Sequence, residues 1–168
     1  MKDGGAAAKG RGKTAGLRMG ILPDLLAYHL RCAHVAVFQH FNRTLGVHGV
    51  SGPQFGTLLL IEANPGVSQS SIAEALRFDR STLVQIVDRL ENRGLVRREP
   101  STQDRRSHAL RLTEDGAALL GELKTLSDEH EGIVAETLSE DERKSLLALL
   151  ERLHTPGPPR PDGRASGN

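Results

Sequence analysis

Between about residues 24 and 153 the apolar residues recur at helical spacing, with one interruption. Leu26, Leu30, Ala33, Val37, Phe41 and Leu45 form a stripe that predicts a first helix over about 24–46, with Pro23 near its first turn. A second helix is predicted after Ser51 and Gly52, with Pro53 in its first turn. It carries Phe55, Leu58, Leu59 and Ile61 and stops at Asn64-Pro65-Gly66. Ile72, Ala75 and Leu76 mark a short third helix; Leu83, Ile86 or Val87, and Leu90 mark a fourth, with Phe78 plugging the turn between them. The period then drops to two. Leu95–Glu99 and His108–Leu112 read as the strands of a hairpin, with Leu110 and Leu112 toward the core and Pro100–Asp104 in its loop. Helical spacing resumes from Thr113 to about 137 through Leu119, Leu120, Leu123, Leu126, Ile133 and Val134. It restarts behind Leu138 at Leu146, Leu147, Leu150 and Leu153.

Polar residues punctuate this pattern where helix ends need them. Ser68, Asp79 and Thr113 stand where a side-chain oxygen can accept from orphan backbone N–H groups, and the Asp79 charge suits a helix N-terminus. Ser139-x-x-Glu142 has the spacing of a capping box, and Gly94 supplies a left-handed C-terminal cap. The expected fold is mainly α with a small β-hairpin wing: a winged helix-turn-helix flanked by terminal helices.

The exposed face of the fourth helix carries Arg80, Ser81, Thr82, Gln85 and Arg89. Hydroxyls, an amide and guanidinium groups read base edges and clasp phosphates. Ser68, Gln69 and Ser70 are placed to hold phosphates at the start of the third helix. In the hairpin tip Asp104 is two residues from Arg106 and can orient its guanidinium, so Arg106, with Arg105, is expected to enter a minor groove. An arginine-rich helix or hairpin alone is as often a solvated face. The order helix, turn, helix, glycine, basic hairpin points instead to double-stranded DNA.

Charge distribution sharpens this expectation. The 168 residues hold 22 Lys/Arg against 21 Asp/Glu, a net charge of +1 that by itself argues against a nucleic-acid partner. The charges are segregated, however. Residues 1–20 carry a net +4, residues 68–112 carry nine arginines and six acids, and residues 113–153 carry a net −7. No apolar run is long enough to span a bilayer, the lysines near the N-terminus precede no apolar signal segment, and one cysteine forms no internal disulfide. A cytoplasmic protein without a membrane partner is expected. Residues 1–20 read as a disordered basic arm and 154–168 as a Pro/Gly-rich disordered tail. Between them lie a terminal helix (21–50), the DNA-binding module (51–112) and the leucine-rich closing helices (113–153), whose apolar surface exceeds what one thin subunit can cover.

The stretches NPGVSQSSIAEAL, DRSTLVQIVDRLENRGLVRRE and DRRSHALRLTEDG resemble the MarR family of winged-helix transcription regulators, over about residues 22 to 153. The resemblance implies a homodimer joined through its N- and C-terminal helices and a signal that releases DNA. Recognition helices about 34 Å apart would then meet a palindromic operator. It also implies an effector pocket between the first two helices and the DNA-binding lobe, for which Arg31, His34, Phe38, Phe55 and Leu59 are the candidates. Arg31 and His34 would meet the polar part of a small aromatic carboxylate or an acyl-thioester. His34 is equally read as a satisfied core or interface histidine, and Arg31 as half of an ion pair.

Two other readings stay open. A redox-sensing branch of the same family uses a cysteine near the start of its first helix with tyrosines nearby. Cys32 lies further along, with Tyr28 one turn before it as the only tyrosine. A lone cysteine in a helix is more often a small buried hydrophobe. The third reading is a DNA-binding protein with no effector. His29, Cys32, His34 and His40 share a helix but not a face, so neither a metal nor any cofactor is expected. No phosphate loop, nucleophile elbow or zinc-hydrolase motif occurs, which argues against an enzyme.

Overall fold

The computed structural model describes residues 17–100 and 108–155. Most of the predicted arm and tail, and the hairpin tip with Asp104, Arg105 and Arg106, lie outside the described residues. The chain divides into two compact units, residues 1–36 and 37–168. In the first, a 3-10 turn (Leu22–Asp24) leads into helix α1 (Leu26–Thr44), which continues into the second unit. His29 closes this turn by donating from Nε2 to the Pro23 carbonyl at 2.7 Å.

The second unit contains the end of α1, then α2 (Gly52–Ala63), β1 (Val67–Ser68), α3 (Gln69–Leu76), α4 (Arg80–Asn92), β2 (Val96–Pro100), β3 (His108–Leu112), α5 (Glu114–Val134) and α6 (Glu140–His154). The three strands form an antiparallel sheet in the order β1-β3-β2. Val96 pairs with Leu112, Arg98 with Leu110 and Pro100 with His108. Leu45, Leu58, Ile72, Leu90, Leu110 and Leu120 are each fully buried, so the core joins the helix-turn-helix, the sheet and the first half of α5.

The cap residues act as their spacing predicts. Ser139 forms a reciprocal capping box with Glu142, Thr113 accepts from the Gly116 N–H, and Gly94 takes φ 71°; Ser51 forms a further capping box with Gln54 that was not among the expected caps. Several expectations are corrected. α1 ends at Thr44, whose hydroxyl donates back to the carbonyls of His40 at 3.0 Å and Phe41 at 3.3 Å. The chain then tightens into a 3-10 turn (Leu45–His48) closed by Gly49 at φ 70°. Only Phe41 and Leu45 of the predicted first stripe are buried; Leu26, Leu30 and Val37 stay exposed. In α3 the buried arc runs through Ile72, Ala73 and Leu76, which leaves Ala75 exposed outside it. β1 was not anticipated: two residues give no period to detect. Pro100 belongs to β2 rather than to the loop.

Gln54, Thr57 and His130 are the polar residues buried among those described, and the histidine is the titratable one. His130 on α5 is 4% exposed; it stacks on His40 with ring centroids 4.8 Å apart and meets the edge of Phe41. The two Nδ1 atoms are 2.6 Å apart, so one ring donates an N–H that the other accepts. Burial, and then the charge of His40, push the His130 pKa below the usual histidine value; Glu131, itself 3.7 Å from Arg143, opposes this. A depressed histidine stabilises the fold above the unfolded value of about 6.5 and loses that contribution as pH falls below it. The thermal midpoint is therefore expected to drop by a few degrees between pH about 7.5 and about 5.5. His130→Gln should flatten that drop; an equal drop in the variant would assign the pH dependence elsewhere.

Candidate nucleic-acid interface

The turn between α3 and α4 sets the geometry of the exposed surface. Arg77 closes α3 in the left-handed region at φ 55°, and the Phe78 N–H donates to the Ala73 carbonyl at 2.9 Å. Asp79 then caps α4. Its carboxylate accepts from the Thr82 N–H at 2.8 Å, the Thr82 hydroxyl at 2.6 Å and the Ser81 hydroxyl at 2.5 Å. These donors, the Ser81 hydroxyl first, hold the Asp79 pKa far below the usual carboxylate range. The Ser81 and Thr82 hydroxyl protons are thus spent on the cap, leaving their oxygens as acceptors.

α4 buries Leu83, Ile86, Val87 and Leu90 and turns its other side outward. Arg80, Ser81, Gln85 and Arg89 are exposed and Thr82 is half-buried, so the structure gathers all five predicted α4 residues on one outward face or at its cap. Val84 stands among them at 41% exposure, a residue that sequence periodicity passed over. At the start of α3 the hydroxyls of Ser68, Ser70 and Ser71 cluster: Ser68 Oγ lies 2.9 Å from Ser70 Oγ and 2.8 Å from Ser71 Oγ. Ser68 also accepts from the Ser71 N–H, which makes it the α3 cap.

A second assembly escaped the sequence reading. Arg98 of β2 donates to Asp88 Oδ1 at 2.5 Å and to Glu91 on α4, while its own backbone N–H donates to Glu91 Oε1 at 3.2 Å. With its amide oxygen facing Arg98, Gln69 of α3 accepts from Arg98 Nε at 2.8 Å. One guanidinium thus ties α3, α4 and the wing together and neutralises two acids of α4. The acid pair three residues apart was the available signal, but its partner lies on the strand after the helix, where helical spacing does not reach. On the wing, Glu99 receives Arg97 at 2.7 Å and Arg111 at 2.9 Å; donation by Arg97, above all, lowers its pKa.

The predicted effector residues are divided between the units. Arg31 and His34 lie exposed on α1 in the first, whereas Phe38, Phe55 and Leu59 belong to the second, where Phe55 and Leu59 pack against the core. Cys32 is exposed in the first unit, and its hydrogen bond with Tyr28 raises the Tyr28 pKa. Among the described residues no three His, Cys, Asp or Glu side chains converge as metal ligands, and no helix is long and apolar enough to cross a membrane.

A capped helix pair, an outward polar face on its second member and a basic three-stranded wing define a winged helix-turn-helix DNA-binding protein. The model of the MarR family matches residues 48–107. A transcriptional regulatory protein for the hcr operon of Thauera aromatica is 37% identical over 152 residues, covering 87% of this chain and 92% of its own. The solved structure of the transcriptional repressor CouR bound to a 23-mer DNA duplex is 41% identical, with a TM-score of 0.78, covering 83% of this chain and 99% of that one. CouR bound to p-coumaroyl-CoA is 40% identical with a TM-score of 0.75, covering 82% of this chain and 96% of that one. The chain belongs to the MarR family of DNA-binding transcription regulators. Its relatives are regulators rather than enzymes.

Proposed function

We propose that this protein is a ligand-responsive repressor that occupies a palindromic operator as a homodimer and is released by a small aromatic acid or its acyl-thioester. The observation that carries this reading is its likeness to CouR, whose structures hold a DNA duplex in one case and p-coumaroyl-CoA in the other. Gln85 and Arg89 meet base edges in the major groove, with Arg80, Ser81 and Thr82 beside them. Ser68, Gln69 and Ser70 lie along the phosphates. Arg106, with Asp104 and Arg105, enters the minor groove. The homodimer is supported by the apolar residues left exposed at both ends of the chain, among them Leu26, Leu30, Leu146, Leu147 and Leu153. Arg31, His34, Phe38, Phe55 and Leu59 are the effector candidates. Binding of the effector favours a separation of the two reading helices that no longer fits successive turns of the duplex.

The test is selection of duplexes from a randomised library, followed by release assays. A palindrome bound by two copies and released by p-coumaroyl-CoA is the expected result. Gln85→Ala should weaken that duplex by about 5- to 150-fold and relax base preference at its position. An unchanged sequence profile removes Gln85 from the base-reading set. A second reading, thiol-based release, is supported by the exposed Cys32 and its hydrogen bond with Tyr28. Release by peroxide and not by thioester would select it. Release by neither would select a DNA-binding protein without an effector.

A further inference from the structure

We propose that Val84 is a specificity-determining residue that packs against the 5-methyl group of a thymine in the major groove, beside the base read by Gln85. The inference rests on the reading of α4 as the recognition helix. Four of the five large aliphatic side chains on α4 are 8% exposed or less, and Val84 alone is 41% exposed. It follows Leu83 and precedes Gln85, so it lies one position from the proposed base-reading amide. An outward valine has no core to pack against, and its branched Cβ is less favourable in a helix than alanine. An apolar contact supplied by DNA would offset that cost.

The chemistry of the groove singles out one partner. Thymine presents a methyl group next to its O4 acceptor, and the major groove offers no comparable apolar group on the other three bases. Gln85 suits the N6 and N7 of adenine. A valine and a glutamine in succession therefore fit adjacent groups in an A·T-containing step. The two acids nearest this arc do not oppose approach to DNA, because Asp88 and Glu91 are both engaged by Arg98. Capping by Asp79 fixes the first turn, so Val84 is presented on an ordered helix.

The experiment uses the full-length protein and a duplex selected by it from a randomised library. Each thymine is replaced singly by deoxyuridine, which removes only the methyl group. We expect one thymine in each half-site whose replacement weakens wild-type binding about fourfold. Val84→Ala, at an exposed site where alanine favours the helix, should stay folded and bind the original and the uracil duplex equally. Val84→Thr keeps one methyl group and should retain part of the discrimination. A preferred duplex in which every replacement is neutral would overturn the role of Val84 alone, as would equal uracil sensitivity in wild type and Val84→Ala. Absence of any duplex preference in the wild type would overturn the recognition-helix reading itself, and this inference with it.

Discussion

Gly116→Ala will destabilise the fold by about 3 kcal/mol or more, reversing the usual gain from alanine in a helix of about 1 kcal/mol. Gly116 sits in the first turn of α5, directly against the chain that enters the wing. A Cβ built there lies 1.9 Å from the Leu95 carbonyl oxygen and 2.9 Å from its carbon. Backbone cannot swing aside as a side-chain tip can, and this carbonyl is held in place. It accepts from the Thr113 N–H at 3.1 Å, while the Thr113 hydroxyl donates to the Gly94 carbonyl at 2.6 Å and accepts from the Gly116 N–H at 3.0 Å. Alanine therefore forces α5 away from the sheet and uncovers Leu120 and Leu123, both fully buried. The thermal midpoint should fall by roughly 6–12 °C. Gly121 and Gly132, on the same helix, have nothing within 4 Å of an added Cβ, so alanine there should be neutral or stabilising. If all three variants behaved alike, the close approach at Leu95 would not govern the docking of α5.

Arg98→Ala should impair DNA binding as well as folding, and by separable routes. The guanidinium side chain is 19% exposed, but its partners Asp88 and Glu91 are 49% and 37% exposed, so solvent screens much of each pair. The expected loss of stability is about 1–2 kcal/mol, below that for breaking a fully buried pair. Binding suffers separately. Without Arg98, α4 carries two uncompensated carboxylates, and if α4 is the proposed reading helix their repulsion of phosphates should weaken the selected duplex on the order of tenfold at low salt. The deficit should shrink as salt rises. Adding Asp88→Asn and Glu91→Gln to Arg98→Ala should restore much of the affinity while leaving stability reduced. Failure of the triple variant to recover binding would show that Arg98 acts by holding the helix and wing together, not by neutralising charge.

The contrast between these two residues shows what the sequence exposed to view. Local rules sufficed wherever structure is set by neighbours a few positions apart. The phase of α4 followed from Leu83, Ile86, Val87 and Leu90, and the caps at Ser68, Asp79 and Thr113 followed from short polar side chains ahead of apolar periods. Long-range partners were not legible. Arg98 reads as one basic residue among several in a strand until the fold brings it to Asp88, ten residues away, and Gln69. Gly116 reads as a weak point in a helix until the wing passes against it. Ala75 was assigned inward because spacing alone does not distinguish it from Ala73 in an eight-residue helix. The long stripe of α1 had the right period, but period does not say what covers it. Of the predicted DNA-facing residues on α4, Arg80, Ser81, Gln85 and Arg89 are exposed, whereas Asp104, Arg105 and Arg106 fall outside the described residues.

The sheet order carries a last consequence. β2 is an outer strand, and outer strands invite another chain to add on and start aggregation. Alternation makes Val96, Arg98 and Pro100 share the side turned away from β3. Proline has no N–H to offer, and the N–H of Arg98 is occupied by Glu91. The contact that aligns the wing with α4 therefore also occupies an outward donor of β2, which leaves a stray strand less to pair with along that border.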